Sequence, residues 1–232
     1  QQVDDFITKR NVQTISIAWG EPLMYPQIFD LVEYISSKKI FTKIYTNGIS
    51  LNEKTLKRMK EVGLTEFVVH IDMFQDRQGW MGQNETELNV LRQSFVDMFR
   101  KNPWINLGFI MPIGVNNLIY LDDIMRFYRT NIDIINLIVF TVFRDVHVDN
   151  LATIDAKKLA EEIAKRVDYN PSSYLPKVRK QEEYAWLLSV WFGNPSRYFG
   201  DVNAHQYQRF MEAYYKKWWK FFITKRHILM RR

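Results

Sequence analysis

The sequence contains no cysteine in its 232 residues. Disulfide bonds, thiolate-bound zinc and cysteine-bound clusters are therefore excluded within these residues. Histidine is scarce too, because the chain holds four that are widely spaced and form no His-x-x-x-His pair. This spacing argues against a metal site on one face of a helix.

Long hydrophobic runs are also missing. No stretch of about 18 apolar residues occurs, so we expect no membrane-spanning helix. The N-terminus lacks the pattern of a secretory signal peptide. Because the chain opens at Gln1 rather than at Met, we expect a fragment or a processed product. These features favour a cytoplasmic protein, with the C-terminal segment as a candidate for peripheral contact with a membrane.

The composition that is present supports a folded core, since 47% of the residues are hydrophobic. A chain of this length accommodates one large α/β domain or one domain plus an extension. The net charge of +6 is unevenly placed, because residues 209–232 hold eight basic residues and one acid. The high isoelectric point therefore describes the C-terminal tail and not the remaining chain.

Strand-like runs alternate with helical patterns in the first two thirds of the chain. The runs are rich in Ile, Val, Phe and Leu and cover Thr14–Ala18, Phe41–Thr46, Glu66–Asp72, Ile105–Ile110 and Ile135–Thr141. Helical spacing covers about 25–37, 52–62, 85–101, 118–130 and 155–167. Asn52 is expected as an N-cap and Gly63 as a left-handed helix end. This alternation predicts an α/β fold with a parallel sheet.

After about residue 168 the alternation stops, which predicts a core over 1–168 and an extension over 169–232. Within the extension, Glu182–Phe192 predicts a helix that the Gly, Asn and Pro at 193–195 end. A long aromatic-rich helical pattern follows from 202 to about 228. We therefore expect a helical C-terminal extension.

The first run ends in Trp19-Gly20-Glu21-Pro22. A glycine at the end of a strand lets a ligand approach the backbone closely. The carboxylate of Glu21 can accept hydrogen bonds from an ammonium group, and Pro22 restricts the conformation of the residue before it. Taken alone, the motif also fits an ordinary turn between a strand and a helix.

The next two runs end in Thr46-Asn47-Gly48 and His70-Ile71-Asp72. Asn-Gly is a common turn pair, so a turn without a ligand contact is the alternative. Because side chains repeat every two residues along a strand, His70 and Asp72 are expected on one face, with a structural His–Asp hydrogen bond as the alternative. The carboxyl ends of parallel strands share an edge, where α/β folds bind ligands.

These three strand ends together resemble the core of a radical S-adenosylmethionine (radical SAM) enzyme. The resemblance implies a partial (β/α) barrel in which the first visible run corresponds to the family's second strand. The first β/α unit, which in the family carries the three cysteines of a 4Fe-4S cluster, is then missing. We expect truncation before Gln1, so a cluster is expected only if cysteines exist upstream. Trp19 replaces the first Gly of the family's Gly-Gly-Glu-Pro edge.

The resemblance also implies roles at the strand ends. The edge from Gly20 to Pro22 would hold the amino group of SAM, and polar residues after the third run would lie near its ribose and carboxylate. The segment 109–117 would meet the adenine, although Asn116 and Asn117 are also candidates for helix capping, which we favour for Asn117. For Arg144, a surface position is favoured over a contact with SAM or substrate. The expected cofactor-binding residues are Gly20, Glu21, Pro22, Asn47, His70, Asp72, Met111, Asn116 and Arg144.

Two further segments bear on partners. The loop 74–87 resembles the corresponding loop of radical SAM proteins that carry out lipid and hopanoid-type modification. A small-molecule or lipid-like substrate is therefore expected. Arg77 and Gln78 would bind a carboxylate or phosphate, with a solvated loop that binds nothing as the alternative. The tail 209–232 has aromatic residues at helical spacing beside lysines. It would lie in a membrane interface or pack on the barrel, whereas nucleic-acid binding lacks a supporting fold.

Three functions compete on this sequence. The first is the core fragment of a radical SAM enzyme, which would be inactive alone because the cluster cysteines are absent. The second is a non-catalytic radical SAM-like binding or scaffold module without a cluster. The third is an unrelated (β/α) enzyme with coincidental motifs.

Overall fold

The computed structural model describes residues 2–9, 12–142, 156–166, 173–176, 184–188, 190–194 and 197–202, and the single positions 205, 206, 209 and 213. The chain forms two compact units. The first comprises Gln1–Ile71, Val90–Ile110 and Ile134–Val139, and the second comprises Asp72–Asn89, Met111–Asp133 and Phe140–Arg232. The boundary expected near residue 168 stays a prediction.

Strands and helices alternate as far as residue 166. The strands are β1 (Thr14–Ile17), β2 (Phe41–Thr46), β3 (Glu66–His70), β4 (Asn106–Ile113) and β5 (Ile135–Val142). The helices are α1 (Gln2–Lys9), α2 (Ile28–Ser37), α3 (Glu53–Glu61), α4 (Asn89–Lys101), α5 (Leu121–Thr130) and α6 (Ala156–Arg166). Short 3₁₀ helices cover Pro22–Met24 and Leu118–Tyr120. All five predicted strands are present, whereas α1 was not predicted.

The five strands form one sheet in the order of the chain, β1-β2-β3-β4-β5. The pairs β1–β2, β2–β3 and β3–β4 are parallel, with Thr14 opposite Phe41 and Glu66 opposite Asn106. The predicted α/β architecture with a parallel sheet is therefore confirmed. The first four residues of β3 are buried, so this central strand is covered on both faces and does not alternate.

The core of the first unit lies between the sheet and its helices. Edge-to-face packing joins Phe67 on β3 to Phe99 on α4, with 6.2 Å between the ring centroids. Local signals behave as expected, because the side chain of Asn52 accepts a hydrogen bond from the Thr55 N–H at 3.0 Å and caps α3. Gly63 ends the same helix with a φ of +87°, a conformation that glycine adopts without strain.

The predicted helix over Glu182–Phe192 is wrong. This region contains β7 (Tyr184–Leu188) and β8 (Val190–Asn194), which pair antiparallel with β6 (Ser173–Pro176) and β9 (Arg197–Val202), respectively. Its apolar residues are nearly continuous, so they fit both the helical repeat and the two-residue repeat of a strand. Its aromatic and β-branched residues favour strands. The described residues between 173 and 202 therefore form strands and not helices. The helical pattern predicted beyond them lies almost entirely outside the described residues.

Among the residues that the structure describes, none of the helices has both the length and the apolar content required to cross a bilayer.

Candidate functional site

The carboxylate of Glu21 joins the ends of two neighbouring strands. Its Oε1 accepts hydrogen bonds from the Leu23 N–H at 3.1 Å and from the Thr46 hydroxyl at 2.6 Å. Its Oε2 accepts a third from the Asn47 N–H at 2.7 Å. Two of the expected site residues, Glu21 and Asn47, are thus in direct contact across the ends of β1 and β2.

Local sequence explains how this carboxylate is held. Pro22 begins a 3₁₀ helix, where its missing N–H leaves no donor unsatisfied, and Glu21 before it is extended with φ −120° and ψ 102°. At the end of β2, the hydroxyl of Thr46 also accepts a hydrogen bond from the Gly48 N–H at 3.0 Å. The side chain of Asn47 accepts from the Ile49 N–H at 2.8 Å, which forms an Asx turn.

Gly48 is required at the turn that follows Asn47. Its φ is +73°, and a Cβ atom placed there would lie 2.8 Å from the Phe95 ring and 2.9 Å from Val69. No other residue combines this conformation with this contact without strain. The Asn-Gly pair is therefore both a turn signal and a packing requirement.

The carboxylate of Glu21 is held by neutral groups only. Its three donors are neutral, and it forms no ion pair among the residues that the structure describes. The sequence has no Lys or Arg between Arg10 and Lys38, or between Lys43 and Lys54. Since Glu21 is partly exposed and a carboxylate offers about four acceptor positions, it can accept one more hydrogen bond from a cationic donor.

The residues before Glu21 lie at the surface. Trp19 and Gly20 both have positive φ, at 80° and 58°, and both are exposed. A Cβ atom at Gly20 would meet no atom within 4 Å, so the backbone at this edge is open to a ligand.

His70 and Asp72 do not share a strand face as predicted. β3 ends at His70, which is partly exposed, whereas Asp72 lies beyond the strand and is buried. One carboxylate oxygen of Asp72 accepts from the Phe74 N–H at 2.8 Å within its own turn. The alternation of side chains cannot be extended to a residue that has left the sheet.

In the second unit, a buried carboxylate that no sequence pattern predicted joins two loops. Oε1 of Glu85 accepts from the Met73 N–H and from the Asn117 side-chain amide, both at 3.1 Å. The amide of Asn117 also donates to the Pro112 carbonyl at 2.9 Å, and its oxygen accepts from the Gly114 N–H at 2.8 Å. No periodicity distinguishes Glu85 from the other polar residues of its loop.

The predicted capping role of Asn117 is wrong. The residue stands at the N-cap position of the 3₁₀ helix Leu118–Tyr120, but its side chain makes no capping hydrogen bond. Its amide is buried and pairs with the Pro112 carbonyl of β4, the Gly114 N–H after this strand and the Glu85 carboxylate. A buried amide needs such partners more than a short surface helix needs a cap.

The other residues expected at the site differ from one another in burial. Met111 is buried within β4, and Asn116 is exposed in the following turn. Arg77 is buried and donates to the Gln75 side chain at 3.4 Å, so the solvated-loop alternative is wrong for Arg77, while Gln78 is exposed. Arg144 lies outside the described residues, as does the tail except for residues 209 and 213.

The sequence profile of the Radical SAM superfamily matches residues 1–128, which is more than half of the chain. The chain belongs to the radical SAM superfamily. The matched region includes the Glu21 cluster, which we define as Glu21, Thr46 and Asn47, and extends through most of α5.

Several solved structures resemble this radical SAM chain. SuiB from Streptococcus suis bound to S-adenosylmethionine matches with 17% identity and a TM-score of 0.49, covering 67% of this chain and 34% of SuiB. A domain of pyruvate-formate lyase-activating enzyme from Bacteroides vulgatus matches with 11% identity and a TM-score of 0.45, covering 67% of this chain and 93% of that domain.

Archaeal TYW1 matches with 14% identity and a TM-score of 0.44, covering 73% of this chain and 55% of the other. The radical SAM chain thus spans about a third of the length of SuiB. No protein of curated function matches it in sequence.

The two cofactors of this superfamily fit the chain differently. The partly exposed carboxylate of Glu21, with acceptor capacity left, suits the ammonium group of SAM. A 4Fe-4S cluster does not fit the residues present, because its usual thiolate ligands cannot come from a sequence without cysteine. Among the described residues, moreover, no group of three or more His, Asp or Glu side chains is placed to hold a metal ion.

Proposed function

We propose that this chain is the SAM-binding core of a radical SAM enzyme, with the Glu21 cluster as the site of the SAM ammonium group. The observation that carries the proposal is the Glu21 carboxylate, fixed by three neutral donors and left without a cationic partner among the described residues. A positively charged ligand group would complete its coordination.

The chain's own residues would bind and orient the cofactor. Glu21 accepts from the ammonium group, and the open backbone at Gly20 allows close approach. The N–H groups of Leu23 and Asn47 hold the carboxylate in place, and Pro22 begins the 3₁₀ helix that follows it. SAM, when bound, supplies the chemistry of hydrogen-atom abstraction in this superfamily. The roles expected from the sequence for His70, Asp72, Met111, Asn116 and Arg144 stay predictions.

The substrate is proposed to be a small molecule or a lipid-like compound. In addition to the resemblance of the loop 74–87, the exposed apolar side chains of Phe74 and Met81 in that loop support this class of substrate. Apolar side chains left in water favour contact with an apolar ligand. We also propose that residues 209–232 contact a membrane. Sedimentation with liposomes would compare chains with and without these residues. Equal sedimentation of the two chains would contradict the proposal.

The absence of cysteine favours a second candidate function. In this alternative the chain is a non-catalytic binding or scaffold module that has no cluster. The two candidates differ in the natural polypeptide, because an enzyme requires cluster ligands from a segment outside these residues. Mass determination of the natural polypeptide, followed by sequencing of any additional segment, distinguishes them: a Cys-x-x-x-Cys-x-x-Cys motif supports the enzyme, and its absence supports the scaffold.

Calorimetric titration with SAM tests the site itself. Glu21→Ala should weaken SAM binding about tenfold, which corresponds to about 1.4 kcal/mol. Glu33→Ala is the matched control, because Glu33 is an exposed carboxylate on α2 of the same unit. Equal affinity of the two variants would remove Glu21 from the site, and no binding of SAM by the parent chain would reject the proposal. Circular dichroism establishes that both variants are folded.

A further inference from the structure

Trp19 occupies a backbone conformation that its side chain disfavours. Its φ is +80°, in the left-handed region, where a residue other than glycine loses about 1–2 kcal/mol. Glycine would adopt this conformation without that loss. A strained residue persists when something else compensates it, and such residues cluster at ligand sites.

No contact between the Trp19 side chain and the described residues provides this compensation. The side chain of Trp19 is 96% exposed, so it gains almost nothing from burial. It makes no hydrogen bond or ring contact among the described residues. Trp104 of the same unit is different, because the Lys60 ammonium lies over its ring at 3.6 Å from the centroid.

The surroundings of Trp19 favour a cation. Trp19 lies two residues before Glu21, in a stretch of sequence with no Lys or Arg between Arg10 and Lys38. The face of an indole ring attracts cations, as Lys60 shows at Trp104, and a carboxylate does the same. The two groups together suit an organic ligand with more than one positive centre.

Apolar side chains on the same two loops would shield such a ligand from water. Met24 follows Glu21 and Ile49 follows Asn47, and both are exposed. The loops that carry them are joined by the hydrogen bond from the Ser50 hydroxyl to the Met24 sulfur at 3.6 Å. Exclusion of water strengthens the attraction between a cation and an aromatic ring.

We propose that Trp19 is a ligand-contact residue whose indole face receives the sulfonium centre of the SAM molecule that Glu21 holds by its ammonium group. This inference rests on the proposed function. It assigns the strain at Trp19 to ligand binding, so the folded chain is less stable than it would be with glycine at this position.

Titration with two ligands tests the assignment. S-adenosylhomocysteine differs from SAM by the loss of the methyl group and of the sulfonium charge. Trp19→Gly should weaken SAM binding about fivefold, leave S-adenosylhomocysteine binding unchanged, and raise the melting temperature by about 3 °C. Trp19→Phe should retain most of the SAM affinity, because its ring keeps a π face. Trp104→Phe is the control and should change neither affinity.

Other outcomes overturn the inference in distinguishable ways. Unchanged SAM affinity in Trp19→Gly, with Glu21→Ala still weakened, would reject the role of Trp19 and leave the proposed function intact. Equal losses for both ligands would show that the indole does not contact the sulfonium charge. If the parent chain binds no SAM, the proposed function and this inference both fail.

Discussion

Two carboxylates, one in each unit, hold loops together by the same kind of hydrogen bonds and differ in their access to solvent. Glu21 accepts from the Asn47 N–H and the Thr46 hydroxyl, and Glu85 accepts from the Met73 N–H and the Asn117 amide. Glu21 is partly exposed, whereas Glu85 is fully buried with 0% exposure. The comparison separates a carboxylate that can still accept a ligand from one whose role is structural.

The energetic consequences differ accordingly. A buried carboxylate is costly unless its hydrogen bonds are made, so Glu85 and the donors around it depend on one another. At a partly exposed position, water replaces a lost partner and moderates the effect on stability. We therefore expect substitutions at the Glu85 site to act on folding, and substitutions at the Glu21 cluster to act more strongly on ligand binding than on folding.

The largest effect is expected for Glu85→Ala. The substitution leaves the Met73 N–H and the Asn117 amide without their carboxylate acceptor, and should lower the free energy of unfolding by about 3 kcal/mol. Glu87→Ala is the control, since Glu87 is exposed and its carboxylate accepts only from the Asn84 N–H among the described residues. Urea denaturation of both variants is the measurement. Equal losses of stability in the two variants would show that burial does not make the Glu85 carboxylate more important for folding than the exposed Glu87 carboxylate.

The next effect is expected for Gly48→Ala, which tests the packing behind the Glu21 cluster. The new methyl group meets the Phe95 ring and Val69 in a left-handed conformation, and should cost about 2 kcal/mol of unfolding free energy. Gly79→Ala provides the matched control, because Gly79 has a φ of +81° but no atom within 4 Å of its Cβ position. Gly79→Ala should therefore cost only about 1 kcal/mol. Indistinguishable values in chemical denaturation would exclude the steric contribution.

A smaller effect is expected for Thr46→Val, which removes the hydroxyl while keeping the shape of the side chain. The hydrogen bonds to Glu21 and from the Gly48 N–H are lost, and the free energy of unfolding should fall by about 1.5 kcal/mol. Thr46→Ser should recover part of this loss because it restores the hydroxyl. Denaturation midpoints that fall in the order threonine, serine and valine at position 46 are the expected result. A loss of stability larger than that of Glu85→Ala would show that the Glu21 cluster, and not Glu85, is the main structural contact.

The smallest effect is expected from Tyr45, a neutral group on β2 beside the Glu21 cluster. Burial, reinforced by the nearby Glu66 carboxylate, raises the pKa of the Tyr45 phenol above its ordinary value. The folded chain then holds this proton more tightly than the unfolded chain does. The stabilisation that this difference in proton binding provides is present below the ordinary tyrosine pKa of about 10. It is lost as the pH rises through the raised pKa of Tyr45 in the folded chain.

Tyr45→Phe should therefore reduce the alkaline loss of stability while leaving the pH dependence near neutrality unchanged. Urea denaturation between about pH 8 and pH 11 measures this difference, over the range in which tyrosine titrates. Parallel curves for the parent chain and the variant would show that Tyr45 titrates alike in the folded and unfolded states. The Lys43–Glu66 ion pair, at 2.5 Å, is present in both chains, so its own titration is expected to affect both curves alike.

Features set by neighbouring residues were predictable from the sequence. The bounds of β2, the N-cap at Asn52 and the left-handed Gly63 all follow from short-range propensity and turn chemistry. The parallel pairing of the strands, although not their order, follows from the alternation of strands and helices. Each of these inferences uses either a few consecutive residues or the succession of local patterns along the chain.

Features that depend on distant partners were not predictable in this way. The contact between Glu21 and Thr46 spans 25 residues, and the contact between Glu85 and Asn117 spans 32. Burial alone distinguishes Glu85 from the exposed Glu87 beside it, and burial is a property of the folded chain. The strands Tyr184–Leu188 and Val190–Asn194 were not predicted, because a nearly continuous apolar run fits both a helical and a strand repeat. Pairing with a neighbouring strand decides the structure here.

The most direct test of the Glu21 site is a double-mutant cycle between protein and ligand. Calorimetric titration would compare the parent chain and Glu21→Gln, each with SAM and with an analogue that lacks only the amino group. We expect either change alone to weaken binding about tenfold, and both together to weaken it no more than about tenfold. A combined loss of about a hundredfold, the product of two independent effects, would contradict the contact between Glu21 and the ammonium group.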